Sequence, residues 1–174
     1  MNSPAAIPET GTDARPGTPR LVHLFLARGH RYVGRHGLEP APFDMEEVAE
    51  FHCVAGAGIA GDRFFAHRPD YKGQITFFAG ETWEDLVRGL LPGIPAPAPS
   101  VFRRNAITRG VDLNALIGRE FTWQGVRLEG VEECRPCRWM NVAFGPGAEG
   151  QLAGRGGLRA RILSDGTLRP GPIP

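Results

Sequence analysis

Lysine is almost missing from this chain: Lys72 is the only one in 174 residues, and arginine carries the rest of the positive charge. Cysteine is scarce as well, with Cys53, Cys134 and Cys137 alone. Three thiols do not make a disulfide framework, so the fold must rest on a packed apolar core. No run approaches the roughly 20 apolar residues of a membrane-spanning helix. No basic stretch followed by an apolar one opens the chain, so no secretory leader is expected. Neither sign of charge dominates. A net charge of +1 argues against a general binder of nucleic acid or of membrane surfaces. These absences give the expectation of a soluble, cytoplasmic protein with reduced thiols.

What is present is ordinary in bulk and uneven in place. Hydrophobic residues make up 41% and charged residues 22%, as in a typical globular protein. The length suits one domain, which would bury roughly 70% of its unfolded surface. Residues 1–19 are rich in Pro, Thr, Ala and Gly without apolar periodicity, which predicts a flexible tail before a single domain over 20–174. Short β-biased runs follow at 21–27, 48–55, 73–78 and 101–108. Gly29 to Pro42 reads as a long ordered loop carrying His30 and His36. Cys53 is expected to be a small buried residue, with His52 on the opposite face. One helix is clear, over about 81–91, where Trp83, Leu86, Val87 and Leu90 fall at i, i+3, i+4 and i+7. Pro92 then stops it. Leu113, Leu116 and Ile117 suggest an inward-packed helical turn. Gln124-Gly125 marks a hairpin, 138–144 a short helix, and 158–163 with 167–169 a final hairpin. Many short strands around one strong helix predict a mainly β (α+β) domain with a β-barrel-like sheet.

Gly56-Ala57-Gly58-Ile59-Ala60-Gly61 matches the dinucleotide pattern G-x-G-x-x-G, but that motif needs a helix to open directly after it. Pro69 follows too soon and Asp62 to Phe65 does not look helical, so the glycines are expected to form a turn that presents Asp62 and Arg63. No flavin, nicotinamide or iron–sulfur site is visible.

The chemistry concentrates in two stretches. Glu133-Cys134-Arg135-Pro136-Cys137-Arg138 holds two of the three sulfurs among arginines, whose charge favours a thiolate. Phe102 to Gly110 supplies Arg103, Arg104, Asn105, Thr108 and Arg109, a set suited to an anionic, oxygen-rich ligand. From the residues alone, four readings of the cysteine pair stay open. They are half of a zinc site, a redox couple, a single thiolate that ligates a soft metal or carries sulfur, and two structural thiols.

Five stretches in order extend the pattern: 57–65, 73–78, 102–113, 116–118 and 133–137. In this order and spacing they resemble the MOSC domain, named for the C-terminal domain of molybdenum-cofactor sulfurase. The resemblance implies a MOSC-type β-barrel that binds a molybdenum–pterin cofactor. It implies Cys137 as molybdenum ligand and catalytic residue. It implies that Arg63, Arg103, Arg104 and Asn105 contact the cofactor, with Thr108 and Arg109 as further contacts. It also implies reduction of small N-hydroxylated compounds with electrons from a separate donor protein. The alternative it leaves is a carrier of cofactor or persulfide on Cys137, working with a cofactor-sulfurating partner.

Overall fold

The structure, a computed structural model, describes residues 18–29 and 45–173. The expected tail, apart from Thr18 and Pro19, and most of the Gly29–Pro42 loop with His30 and His36 lie outside the described residues.

In chain order the strands are β1 (Arg20–Leu26), β2 (Glu46–Glu47), β3 (Phe51–Val54), β4 (Gly58–Ile59), β5 (Ile75–Ala79), β6 (Ala106–Arg109), β7 (Glu120–Trp123), β8 (Val126–Glu133), β9 (Leu158–Ile162), β10 (Gly166–Leu168) and β11 (Gly171–Pro172). The helices are α1 (Gly80–Leu90), α2 (Trp139–Phe144) and α3 (Ala148–Gln151). The main sheet runs β11-β1-β6-β5-β9-β8-β7, with β2 on β1, and a small sheet runs β10-β3-β4. All pairs are antiparallel except β5 with β6, which α1 connects.

Strand alternation divides the interior in two. One set of buried side chains, including Phe51, Ile75, Phe77, Val126, Leu128, Leu158 and Ala160, packs between the main sheet and the small one. The other set, including Phe78, Leu86, Phe102, Ile107, Met140 and Phe144, joins the opposite face to the helices. Phe77 and Phe78 are adjacent yet belong to different sets, which makes β5 the wall between them. The predicted stripe on α1 is core: Leu86 is buried, and Trp83, Val87 and Leu90 pack against the second set. Burial of Cys53 pushes its thiol from the usual 9.0 up to about 12, while His52 is exposed.

Four expectations are corrected. The sheet does not close into a barrel, because β11 and β7 are not paired. Pro172 has no N–H to offer a further strand, and a single side chain spans the gap instead. Gln124 donates to the carbonyls of Arg169 and Pro172 at 2.9 and 3.1 Å and accepts from the Arg169 N–H at 2.8 Å. The expected 101–108 strand begins only at Ala106, after a 3-10 turn over Pro99–Phe102. The last hairpin does not form: β9 stays in the main sheet between β5 and β8, while β10 crosses to pair with β3. The Asp165 carboxylate fixes that crossing by accepting the Ala55 N–H at 2.8 Å. Ile117 faces solvent rather than the core. The hairpin at Gln124-Gly125 does form, with φ of 49° and 83° at its two central residues.

Candidate functional site

A cleft of about 330 Å³ opens where the helical layer ends on the sheet. Its walls come from the turn after β4, from the 102–105 segment, from the cysteine stretch after β8 and from β9. The glycine-rich 56–61 segment works as the sequence suggests. Gly56 and Gly61 adopt φ of 71° and 83°, and the chain after Gly61 runs through turns, not a helix. This delivers Asp62 inward and Arg63 to the cleft.

Asp62, Asn105 and Thr76 form one buried polar node beneath the cleft. The Asp62 carboxylate accepts the N–H groups of Phe64 at 2.9 Å and Ala27 at 3.2 Å. It also accepts the Asn105 side-chain amide at 3.2 Å. The Asn105 Oδ1 accepts the Thr76 backbone N–H at 3.0 Å and its hydroxyl at 2.8 Å. The node therefore ties β1, β5 and the Arg63 turn to one another. Asn105 borders the cleft, but these partners take up both ends of its amide.

The two adjacent arginines diverge. Arg103 adopts the left-handed region at φ 59°, uncommon for a residue with a Cβ, and reverses the chain. Its guanidinium lies 6.0 Å from the centre of the Trp139 ring and lines the cleft. Arg104 points inward with 9% of its surface exposed. It donates to the carbonyls of Phe102 at 2.8 Å, Cys134 at 2.8 Å and Gly156 at 3.1 Å. It thus ties the cysteine stretch to the chain just before β9. Close approach there requires glycine: a Cβ on Gly156 would lie 2.4 Å from the Cys134 carbonyl oxygen. One on Gly157, whose φ is 98°, would lie 2.1 Å from that of Phe77.

Both cysteines of the pair line the cleft, in different surroundings. Cys134 is buried and Cys137 is exposed. Arg63 is half-buried; burial lowers its pKa, against the pull of Asp62 and Tyr71. Burial pushes the Tyr71 phenol up, so it stays a neutral hydroxyl, although Arg159 and Arg68 act in the other direction.

Of the sequence-predicted residues, Arg63, Arg103, Arg104, Asn105 and Cys137 therefore meet at one cleft. Thr108 and Arg109 are not brought there. The Thr108 hydroxyl is buried and donates to the Phe78 carbonyl at 3.3 Å. Arg109 forms an ion pair with Glu84 on α1, and that hydrogen bond raises its pKa. The direction of the strand explains the loss: both belong to β6, which runs away from the cleft edge formed by 102–105. The sequence reasoning missed Arg159, Tyr71 and Trp139, which also line it, as does Arg135 of the cysteine stretch. For Arg159 a signal existed. It alternates with Leu158 and Ala160, so an arginine was bound to stand on the opposite face of that strand. Among the described residues, no group of three His, Cys, Asp or Glu side chains is placed to hold a metal ion, so the zinc reading gains no support. No described helix is long and apolar enough to cross a membrane.

Comparison with solved structures shows the same fold in proteins of low identity. The YuaD protein from Bacillus subtilis is 18% identical, with a TM-score of 0.66 over 87% of this chain and 91% of that one. YiiM from Escherichia coli is 16% identical, with a TM-score of 0.59 over 89% of this chain and 69% of that one. YiiM from Geobacillus stearothermophilus is also 16% identical, with a TM-score of 0.60 over 89% and 73%. No curated protein matches the chain. The model of the MOSC domain matches residues 71–172, which takes in the cysteine stretch, Arg103 to Asn105 and β9 but begins after the Arg63 turn. With more than half of its length matched in this way, the chain belongs to the MOSC domain family.

Proposed function

We propose that this chain binds a molybdenum–pterin cofactor in the cleft and acts as an oxidoreductase on small N-hydroxylated or similar compounds. The family is associated with molybdenum-cofactor binding. The observation that carries the reading is the exposed Cys137 thiol opening into the same cleft as Arg63 and Arg103. A thiolate is a soft donor for a high-valent metal. Guanidinium forks suit a phosphate oxygen pair, and among the described residues the cleft presents cations with Asp62 as its only acid. The donor set therefore fits such a cofactor. Cys137 would hold the metal, and Arg63 and Arg103 the phosphate. Arg104 and Asn105 would act behind them, fixing the loops that carry those side chains. When bound, the cofactor would supply a metal that accepts an oxygen atom from the substrate. Electrons would come from a separate donor protein.

A second reading rests on Cys137 lying exposed at the cleft: the thiol could carry a persulfide or pass on a cofactor without redox turnover. One experiment separates the two. Protein expressed in a cofactor-producing host is analysed for molybdenum, beside Cys137→Ser. Molybdenum near one per chain, lost in the variant, supports the oxidoreductase and calls for an assay of N-hydroxyl reduction. Equal molybdenum in both removes Cys137 as ligand. No molybdenum, with a mass shift of one sulfur on Cys137, moves the reading to the carrier.

A further inference from the structure

Strand β9 carries two arginines on the face away from the core, Arg159 and Arg161. Their cross-strand partners on β8 are both glutamates, Glu132 for Arg159 and Glu129 for Arg161. The two pairs end differently. Arg161 meets Glu129 at 2.8 Å. Glu132 turns instead to Lys72, the only lysine in the chain, at 2.6 Å, and leaves Arg159 at 3.7 Å. That distance is an ion pair but too long for a hydrogen bond. A register shift between Gly130 and Glu132 separates the two pairs.

The Nε of Arg159 is left buried and, among the described residues, without a hydrogen-bond acceptor. Arg159 lines the cleft beside Tyr71 and Cys134. Burial works against its charge, but Cys134, by its charge and by a side-chain hydrogen bond to the guanidinium, outweighs it together with Tyr71 and Glu132, so among the described residues only the Nε is left without an acceptor. A buried donor N–H without a partner is rare and calls for an acceptor that is not part of the chain. Arg103 and Arg63 come from other segments, so a phosphate held by them leaves Arg159 available.

We infer that Arg159, with the Tyr71 hydroxyl beside it, forms a second oxyanion subsite in the cleft, one that takes a carboxylate, sulfonate or similar group of the small molecule brought to Cys137. The subsite rests on the proposed function for its identity as a substrate site, but not for its existence. Lys72 sets it up by holding Glu132 off Arg159.

The test is a calorimetric titration with sulfate, a compact oxyanion, on the full chain. Wild type is expected to show two saturable sites, and Arg159→Met only one. Arg159→Lys keeps the charge and should retain the site with roughly tenfold weaker binding, as a point charge lacks the fork. Lys72→Gln, outside the cleft, should weaken the same site about as much, because Glu132 is then released toward Arg159. An unchanged titration in Arg159→Met, or in Arg159→Lys and Lys72→Gln together should Arg159→Met not fold, overturns the subsite. Repeating the titration on protein that carries molybdenum distinguishes the source of the oxyanion. The Arg159 site should stay open to sulfate; its loss on loading would assign it to the cofactor and overturn the substrate role. If no molybdenum is ever retained, the proposed function fails while the titration on the metal-free protein still decides Arg159.

Discussion

The floor and the wall of the cleft use the same residue types for opposite purposes. On the floor, Arg104, Asn105 and Asp62 are buried and bonded to protein partners at nearly every polar atom. On the wall, Arg63, Arg103, Arg159 and Cys137 present charge or sulfur to the open space. Arg103 and Arg104 are neighbours in sequence, and one left-handed residue sends them to different sides of this boundary. A motif is therefore a mixture of binding and architecture. Which residue does which depends on where the backbone sends its side chain.

The strongest way to break this contrast is to exchange one arginine from each side for methionine. Arg104→Met removes the donors that hold the carbonyls of Phe102, Cys134 and Gly156, and should cost about 3–4 kcal/mol in urea unfolding. Arg159→Met should change stability by less than about 1 kcal/mol, because its Nε has no protein hydrogen-bond acceptor to lose and its ion pair with Glu132 is long and partly exposed. Equal losses in the two variants would erase the distinction. Asn105→Ala comes next, at about 2–3 kcal/mol, since it leaves Asp62 and Thr76 without their shared partner. An Asn105→Ala protein of wild-type stability would show that the node is not structural.

Smaller in energy is the contrast among the thiols. Iodoacetamide at neutral pH should label Cys137 first and Cys53 only on unfolding, since one is exposed and the other buried. Cys53 also predicts an alkaline limit. Its folded pKa of about 12 lies above the ordinary 9.0, so its contribution to stability is complete below pH 9 and is lost as pH rises toward 12. Cys53→Ala should flatten that part of the pH–stability curve. A decline just as steep in the variant would assign it to other groups.

Sequence by itself determined much of this protein. The helix stripe, most strands, the buried Cys53, the turn at 56–61 and the association of two arginine-bearing segments with a cysteine pair were all legible. These signals are local, because side-chain direction repeats with the period of a helix or strand. Tertiary structure alone decided the rest. It left the sheet open, sent β10 to β3 instead of β9, and withdrew Thr108 and Arg109 from the site. It turned Arg104 inward to carbonyls 30 and 52 residues away. Through a salt bridge spanning 60 residues, it gave Glu132 to Lys72 and left Arg159 facing the cleft. The physical reason is the same in each case. A periodic pattern says which way a side chain points, but its hydrogen-bond partner comes from a distant strand whose register the pattern does not contain.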